Sequence, residues 1–222
     1  MAGVSVKSEA NRVSGANLCV GVAAFAAIIR TAGSEELFGK VAGDEALPKA
    51  QRRRMSAFDL GVARCLGGIA QSGVDEEIVF ASRHGNMDLT TDILLQLANN
   101  EIVSPAKFSM SVHNAALGAA SQMTANRAGH TAVAAGPRSM AAGFTEAWLR
   151  LSSGSSSILM LYADHPLVGP YAPFDEPGPG VHVAMRLVKG AGEAHALEDG
   201  RTGAEALARA LAAGTGAVTW RP

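Results

Sequence analysis

The segment from residue 104 to residue 151 constrains the fold most strongly, because its periodicity changes three times. Residues 112–121 (VHNAALGAAS) predict a helix whose sides carry almost no bulk, which lets other backbone approach closely. A strand of small residues (TAVAA) follows at 131–135, and the Gly-Pro pair at 136–137 ends it. From Ser139 the spacing becomes helical and predicts one buried stripe, formed by Met140, Phe144, Ala147, Trp148 and Leu151.

Strands and helices also alternate along the rest of the chain. Further strands are predicted at 77–82, 158–162, 181–187 and 217–220, and helices at 34–38, from Pro48 to Gly73, from Asp88 as N-cap, and at 204–213. This alternation indicates an α/β fold, with a mixed, mostly parallel sheet and helices on both faces. The Pro- and Gly-rich segment 165–180 is predicted to be a loop packed on the surface.

The apolar run at 18–29 (LCVGVAAFAAII) has two interpretations. With twelve residues it is too short to span a bilayer, but it has the length of a signal-peptide core. The preceding basic residues are diluted by Glu9, and no small-residue cleavage site precedes a polar start. We therefore predict a buried first strand, and the protein is expected in the cytoplasm.

Charge and cysteine usage exclude several classes of function. The formal net charge of −1 over 222 residues gives no electrostatic reason to bind nucleic acid or an anionic membrane. Cys19 and Cys65 lack the spacing of a metal site and are predicted to be buried thiols of a reducing compartment. The six histidines include no pair at helical i, i+4 spacing, so neither a metal nor an organic cofactor is predicted.

Four side chains are candidates for independent chemistry. Ser139 follows Gly-Pro-Arg, which is not the Gly-x-Ser-x-Gly elbow of serine hydrolases. His113 is interpreted as a buried, locally hydrogen-bonded histidine, with a catalytic role as the alternative. His84 and His165 stand at strand ends, where the sites of α/β proteins often gather.

Asn114, Gly118 and the strand–turn–helix after them resemble the N-terminal half of the thiolase-fold condensing enzymes, the β-ketoacyl synthases. In that family an Asn-x-x-x-Gly helix leads to a strand that delivers a nucleophilic cysteine at the start of a buried helix. The resemblance places Pro137 at the nucleophile position, and neither Gly136 nor Arg138 could replace the thiol. It therefore implies that no catalytic residue is present here.

The resemblance also implies a truncated fold. A complete thiolase fold repeats the half-fold twice, and the two basic residues needed for condensation come from the C-terminal half. Residues 1–222 suffice for one copy and are expected to form a single truncated ketosynthase-like domain, one thiolase-like half-fold. Such a chain is not expected to be catalytic alone.

Within the family, residues 104–115 and Asp164 shortly before Pro166 resemble short chain-length factors of aryl polyene biosynthesis. This implies a heterodimer with an active β-ketoacyl synthase, which sets acyl chain length and meets the acyl carrier protein through the complex. The implied interface residues are His113, Asn114, Gly118, Thr131, Ala132, Val133, Ala134 and Ala135. The residues implied to line the acyl tunnel are Phe108, Met110, Val112 and Met123.

Several alternatives remain open at the level of the sequence. One is a stand-alone acyl-thioester enzyme that uses Ser139 or His113. Another is a structural partner that stabilises a ketosynthase without setting chain length. The strand at 131–135 could also pair with its own copy to form a homodimer. The basic run at 52–54 is interpreted as a solvated helix face, with contact to an acidic carrier protein as the alternative.

Overall fold

The computed structural model describes residues 17–53, 55–190 and 194–222. The strands are β1 (Leu18–Thr31), β2 (Ser34–Gly39), β3 (Ile78–Ala81), β4 (His130–Val133), β5 (Ser157–Asp164), β6 (Gly180–Val188), β7 (Ala194–Ala196) and β8 (Ala217–Trp220). The helices are α1 (Lys49–Arg52), α2 (Ala57–Ile69), α3 (Met87–Ala98), α4 (Pro105–Met110), α5 (Ala115–Thr124), α6 (Ser139–Ser152) and α7 (Gly200–Ala212).

The described strands form one mixed sheet in the order β4-β3-β5-β6-β1-β8-β7, with β2 paired to the second half of β1. The strands β4, β3 and β5 are parallel, as are β7 and β8. The pairings of β1 with β2, β6 and β8, and of β5 with β6, are antiparallel. The predicted α/β fold with a mixed sheet is confirmed, although antiparallel pairings are somewhat more numerous than parallel ones. The reason is the long β1, whose three partners all run against it.

Helices cover both faces of the sheet, as predicted. One hydrophobic core lies between the sheet and the helices α6 and α7, and the other lies under α2 and α5. Successive residues of β1 serve the two cores alternately, since Ala26 and Ile28 join one and Ala27 and Ile29 the other. This explains why residues 18–29 are apolar without interruption, and the prediction of a buried first strand is confirmed.

The helix predicted from Ser139 is also confirmed. Four side chains of α6 are buried in the core between this helix and the sheet, namely Met140, Phe144, Ala147 and Leu151. Trp148 is partly buried and packs against the same core. Gly143 lets this helix approach the sheet closely, because an added Cβ would lie 2.7 Å from the Cβ of Ala81.

The helix predicted at 34–38 is wrong, since these residues form β2. A two-residue turn follows Thr31, and β2 pairs antiparallel with β1 from Thr31 back to Ala26. Pairing with a long neighbouring strand outweighs the local preference of the sequence SEELFG. Its glutamates form ion pairs across the surface, Glu35 with Arg30 and Arg64, and Glu36 with Arg209.

The helix predicted from Pro48 to Gly73 is divided in the structure. The first part, α1, ends at Arg52, and α2 begins after Ser56 and ends at Ile69. Ser56 Oγ accepts a hydrogen bond from the Asp59 amide, and the Asp59 carboxylate accepts one from the Ser56 amide, each 3.1 Å long. This capping box fixes the start of α2. Arg54 of the basic run lies outside the described residues.

The predicted N-cap of α3, Asp88, is replaced by Asn86, whose side-chain oxygen accepts a hydrogen bond from the Leu89 amide at 3.2 Å. The helical spacing of Ile93, Leu94 and Leu97 also predicts that all three face inward, which is only partly correct. Ile93 is buried, but Leu94 and Leu97 are exposed.

Candidate functional site

The tight turn between β4 and α6 is the centre of the candidate site. Gly136 has φ +58°, a left-handed conformation that a residue with a Cβ adopts rarely, and Gly136–Arg138 form one 3₁₀ turn. Pro137 stands exposed on this turn, immediately before α6. The turn delivers a residue to the start of a buried helix, but Pro137 carries no nucleophilic group there.

The hydroxyl of Ser139 forms hydrogen bonds within the turn itself. Its buried Oγ donates a hydrogen bond to the Gly136 carbonyl at 2.7 Å and accepts one from the Ala135 amide at 3.0 Å. Both the proton and a lone pair of the hydroxyl are therefore engaged in closing the turn, and no histidine of the described residues forms a hydrogen bond with it. This geometry does not favour the stand-alone enzyme that would use Ser139 as a nucleophile.

A cavity of about 280 Å³ opens beside the turn. Gly136 and Pro137 form one wall, and the other walls come from the end of β5, the loop after it and the start of α7. Its charged and polar lining residues are Arg83, Tyr162, Asp164, Asp175, Glu176, Asp199, Arg201 and Thr202. Pro137, Phe174 and Pro177 add apolar surface, so the lining of the cavity is mixed.

Asp164 organises the inner end of the cavity. Its buried carboxylate accepts hydrogen bonds from Ser82 Oγ at 2.9 Å, Tyr162 Oη at 2.8 Å and the Arg83 amide at 3.0 Å. Burial and the neighbouring Asp164 charge raise the pKa of Tyr162, so its phenol stays protonated and acts as a donor. The network joins the ends of β3 and β5, which gives Asp164 a structural role at this edge.

Asp175 and Arg201 close the outer end. The Arg201 guanidinium donates a hydrogen bond to the buried Asp175 carboxylate at 2.8 Å, and Arg83 approaches the other carboxylate oxygen to 3.7 Å. Burial alone would raise the pKa of Asp175, but hydrogen bonds from the Leu167 amide and Arg201 outweigh it and lower the pKa. This ion pair fixes the loop at 165–180 against α7. No local sequence pattern distinguishes either residue, because they stand 26 positions apart and meet only in the fold.

The strand β4 forms an edge of the described sheet, with β3 as its neighbour. The Ser82 amide donates to the Val133 carbonyl at 3.1 Å, and the Ile78 amide donates to the Gly129 carbonyl at 3.2 Å. Since backbone groups alternate along a strand, those of Ala132 point away from β3 toward the free edge. A groove of about 420 Å³ lies beside this edge and is lined by Val133, by Ala135 and by α6 between Ala141 and Leu149.

The predicted interface residues lie on or beside this edge. Ala132, Ala134 and Ala135 are exposed, whereas Thr131 and Val133 are half-buried. At the N-cap of the adjoining α5, the Asn114 side chain lies within hydrogen-bond distance of His130 Nε2, at 3.2 Å. A Cβ added to Gly118 would meet no atom of the described residues within 4 Å.

The family model described as "Beta-ketoacyl synthase, N-terminal domain" matches residues 38–218. The chain belongs to this family. Its described α/β architecture is thus a ketosynthase-like, thiolase-type half-fold, and the resemblance inferred from the sequence is confirmed. A search of curated proteins finds no match.

Solved structures show the same fold. A chain from the complex of the ketosynthase ApeO with its chain length factor ApeC, from Xenorhabdus doucetiae, is 26% identical with a TM-score of 0.66. The match covers 79% of this chain and 81% of that one. A β-ketoacyl synthase from Burkholderia phymatum is 12% identical with a TM-score of 0.56. This match covers 77% of the present chain and 59% of the other.

A third structure, a type II PKS acyl-carrier protein in complex with its ketosynthase bound to the hexaketide, is 13% identical with a TM-score of 0.57. This match covers 78% of the present chain and 64% of the other. The chain therefore spans less than two thirds of the second and third of these proteins.

The histidines of this ketosynthase-like chain are held by local packing. His113 Nε2 lies 3.1 Å from the Ser82 carbonyl, and its ring packs against Phe80. His165 Nδ1 lies 3.5 Å from a carboxylate oxygen of Asp88. Burial lowers the pKa of His84, whose amide contacts Asp164. The structure brings neither His84 nor His113 against Ser139, as a hydrolytic pair would require.

The four candidate tunnel residues occupy three different surroundings. Met110 lines a groove of about 550 Å³ with Leu89 of α3. Phe108 and Val112 are exposed in the isolated chain. Met123 is half-buried on α5 and packs against the core beneath it. Their assignment to an acyl tunnel remains a prediction.

Cysteine chemistry is not available at the candidate site. Cys65 is buried in α2, as predicted, and burial raises the pKa of its thiol. Cys19 is only half-buried, and both thiols are free. Within residues 17–53, 55–190 and 194–222, no cluster of three or more His, Cys, Asp or Glu side chains could hold a metal ion. In the same ranges no helix has the length and hydropathy to cross a membrane.

Proposed function

We propose that this chain is a non-catalytic, ketosynthase-like subunit of the chain-length-factor type. It pairs with an active β-ketoacyl synthase and sets the length of the polyene or fatty acyl chain made by the complex, in biosynthesis of the aryl polyene kind. Its complex meets the acyl carrier protein, and it works in the cytoplasm, which suits its two free thiols.

The observation that carries this proposal is the match to the ApeO–ApeC complex. The matched shares of the two chains are nearly equal, so the matched chain is about as long as this one. The match covers smaller shares, 59% and 64%, of the chains of the other two relatives. The high coverage of a chain from a complex that contains a chain length factor favours that role for the present chain.

The candidate site supports a non-catalytic role. Gly136, Pro137 and Arg138 occupy the turn where the family places its nucleophile, and Ser139 is engaged within that turn. The adjoining cavity is crossed by the ion pairs of Asp175 with Arg201 and Arg83, and it contains no cysteine. Such a subunit contributes surface and shape to a complex, while the partner contributes the thiolate.

The free edge of β4 supports pairing with the partner. An unpaired edge presents backbone donors and acceptors that bind another strand, and an exposed edge of small residues invites association. Pairing with the equivalent strand of a ketosynthase would join the two sheets into one and bring His113, Asn114 and Gly118 to the interface. A homodimer formed through the same edge is the alternative arrangement.

Co-expression tests the proposal. The chain is produced with the β-ketoacyl synthase encoded beside it in the same genome, and the product is analysed by size-exclusion chromatography with light scattering. We expect a one-to-one complex, and a chain that self-associates or precipitates when it is produced alone. A stable monomer that ignores the synthase and turns over an acyl thioester by itself would favour the stand-alone enzyme instead.

A further inference from the structure

Two histidines meet beside α2, where β5 ends and β6 begins. His182 of β6 is completely buried, and His165, which follows the last residue of β5, keeps only 12% of its side chain exposed. Their ring centroids are 4.9 Å apart with nearly perpendicular planes, and both rings pack against Phe58 of α2. We call these two side chains the histidine pair.

Two glycines provide the space for this pair. A Cβ added to Gly61 of α2 would lie 2.4 Å from the ring of His182. A Cβ added to Gly180 of β6 would lie 2.9 Å from Cδ2 of His165. Both distances are shorter than van der Waals contact, so alanine at either position would displace a ring. The positions of the two rings are therefore fixed by backbone packed directly against them.

Hydrogen bonding assigns the ring proton of His182. Its Nε2 lies 3.1 Å from the Phe58 carbonyl, which only accepts hydrogen bonds, so Nε2 carries the proton. Its Nδ1 is therefore a bare lone pair, and this buried atom has no hydrogen-bond partner among the described residues. Burial lowers the pKa of His182, which keeps the ring neutral.

No neutral form of His165 satisfies both of its ring nitrogens. Nδ1 lies 3.5 Å from a carboxylate oxygen of Asp88, and the buried Nε2 has no hydrogen-bond partner among the described residues. With the proton on Nδ1, Nε2 is a second bare lone pair beside His182. With the proton on Nε2, a lone pair of Nδ1 faces the Asp88 carboxylate. Only the doubly protonated ring offers a donor on both sides.

Charges on three elements surround the pair. The negative charges act on His165, and they belong to Asp88 of α3 and Asp59 at the start of α2. The positive charges act on His182 and add to the effect of its burial, and they belong to His165 itself, Arg30 of β1 and Arg64 of α2. A proton that enters the pair is therefore held on His165, between two carboxylates, and not on His182.

The contact between His165 and Asp88 joins two weakly attached elements. His165 begins the loop at 165–180, and Asp88 lies in the first turn of α3, which buries only Thr91 and Ile93. Farther along the loop, a Cβ added to Gly169 would lie 3.6 Å from a methyl carbon of Thr91, so the two segments run side by side. A stronger contact at His165 would order the loop and α3 together.

We infer that the histidine pair is a pH-sensitive switch that joins α3 to the loop at 165–180. As the pH falls, a proton from solvent binds Nε2 of His165. The imidazolium then donates from Nδ1 to the Asp88 carboxylate and, after a small rotation of the ring, from Nε2 to Nδ1 of His182. One proton thus satisfies both unpartnered nitrogens. When the pH rises the proton is released, and the loop and α3 separate more readily. This inference does not depend on the proposed function.

The test compares backbone protection at two pH values. The full chain, together with the β-ketoacyl synthase wherever the two associate, is studied by hydrogen–deuterium exchange at about pH 5.5 and about pH 7.5, with exchange times corrected for the intrinsic rates. We expect wild-type peptides from the start of α3 and from residues 165–176 to exchange about five-fold more slowly at the lower pH. His165→Asn, whose amide still donates to Asp88 but takes up no proton, should lose this difference. His195→Asn, at a half-buried histidine of β7, is the matched control and should retain it.

A second variant keeps the test decisive if His165→Asn is poorly folded. Asp88→Asn removes the carboxylate at a side chain that is 38% exposed, so the fold should tolerate it, and it should also abolish the difference. Thermal unfolding checks each fold. Equal protection of the wild-type chain at both pH values would overturn the inference. A difference that survives in both variants would assign the effect to another titrating group and overturn it as well.

Discussion

The carboxylate of Asp175 joins three separate parts of the chain. It accepts hydrogen bonds from Arg201 of α7 and from the Leu167 amide of its own loop, and Arg83 after β3 lies nearby. Both Asp175 and Arg201 are almost completely buried, so neither charge can be compensated by water if its partner is removed. The pair therefore controls the position of the loop over the Gly136–Pro137 turn.

Replacing one member of this pair is expected to be costly. Arg201→Met retains most of the side-chain volume but leaves the Asp175 charge buried, and should lower the free energy of unfolding by about 3 kcal/mol. Urea unfolding at pH 7 measures the loss. The double variant R201M/D175N should lose clearly less than the sum of the two single variants. Additive losses would show that the two side chains do not interact.

A second residue-scale prediction concerns chain length. Phe108→Ala and Met110→Ala, each in complex with the synthase, should yield products longer by one or more extender units, because bulk in an apolar tunnel rejects extension by steric exclusion. Mass spectrometry of the acyl products measures the length. Leu37→Ala is the control, since Leu37 is exposed on β2. Unchanged products from an intact complex would favour a purely structural partner.

At the scale of elements, β4 is hydrogen-bonded to β3 along one edge, and its other edge is unpaired within the described residues. Thr131 is held from within the chain, because Arg150 of α6 donates a hydrogen bond to its hydroxyl at 2.7 Å. The backbone of Ala132 instead faces the open edge. The strand is thus anchored to its own sheet through alternate residues, and the others remain free for pairing.

Ala132→Pro is expected to separate folding from association. Proline removes the outward N–H of residue 132 but leaves the ladder between β3 and β4 intact. We expect the affinity for the synthase to fall about ten-fold. This corresponds to the loss of roughly one interfacial hydrogen bond, together with the cost of leaving the partner's acceptor unpaired. Ala132→Ser, which keeps the N–H, should bind like wild type. Equal affinity of A132P and A132S would exclude strand pairing as the contact.

At the scale of the whole molecule, the groups whose pKa falls on folding determine the response to acid. Complete burial lowers the pKa of His182 well below its usual value of 6.5. Burial alone would raise the pKa of Glu76, but hydrogen bonds and charge from Arg186 outweigh it, and the pKa is lowered from 4.5. In both cases the unfolded chain binds more protons than the folded one, so stability rises with pH. Asp59 has the opposite sign, because burial raises its pKa.

We therefore expect the free energy of unfolding to fall in two stages as the pH is lowered. The first stage begins near 6.5, where His182 takes up a proton only in the unfolded chain, and the second lies below about 4.5, where the Glu76–Arg186 pair is lost. Urea unfolding between pH 3.5 and 8 measures both. His182→Phe should flatten the first stage and Glu76→Gln the second. A Glu76→Gln curve parallel to wild type below pH 4.5 would contradict this assignment.

Local patterns in the sequence were sufficient for much of the fold. The uninterrupted apolar run of β1, the helical stripe of α6 and the break at Gly136-Pro137 each depend on neighbouring residues, and each prediction is confirmed. The family followed from the segment around Asn114 and the turn after it, and the match over residues 38–218 confirms it. Hydrophobic periodicity and turn chemistry are properties of a short segment, so they can be read without the fold.

Contacts between distant segments were decided only by the tertiary structure. Residues 34–39 form a strand because β1 offers them a partner, although their local sequence favours a helix. The ion pair of Asp175 with Arg201 and the Asp164 network with Ser82 join residues 26 and 82 positions apart, and no spacing rule predicts them. The exposure of Leu94 and Leu97 likewise depends on which face of α3 the sheet covers. The sequence determined most of the elements and the family, whereas long-range packing determined β2, the cavity beside the turn and the free surfaces, because these exist only when distant residues meet.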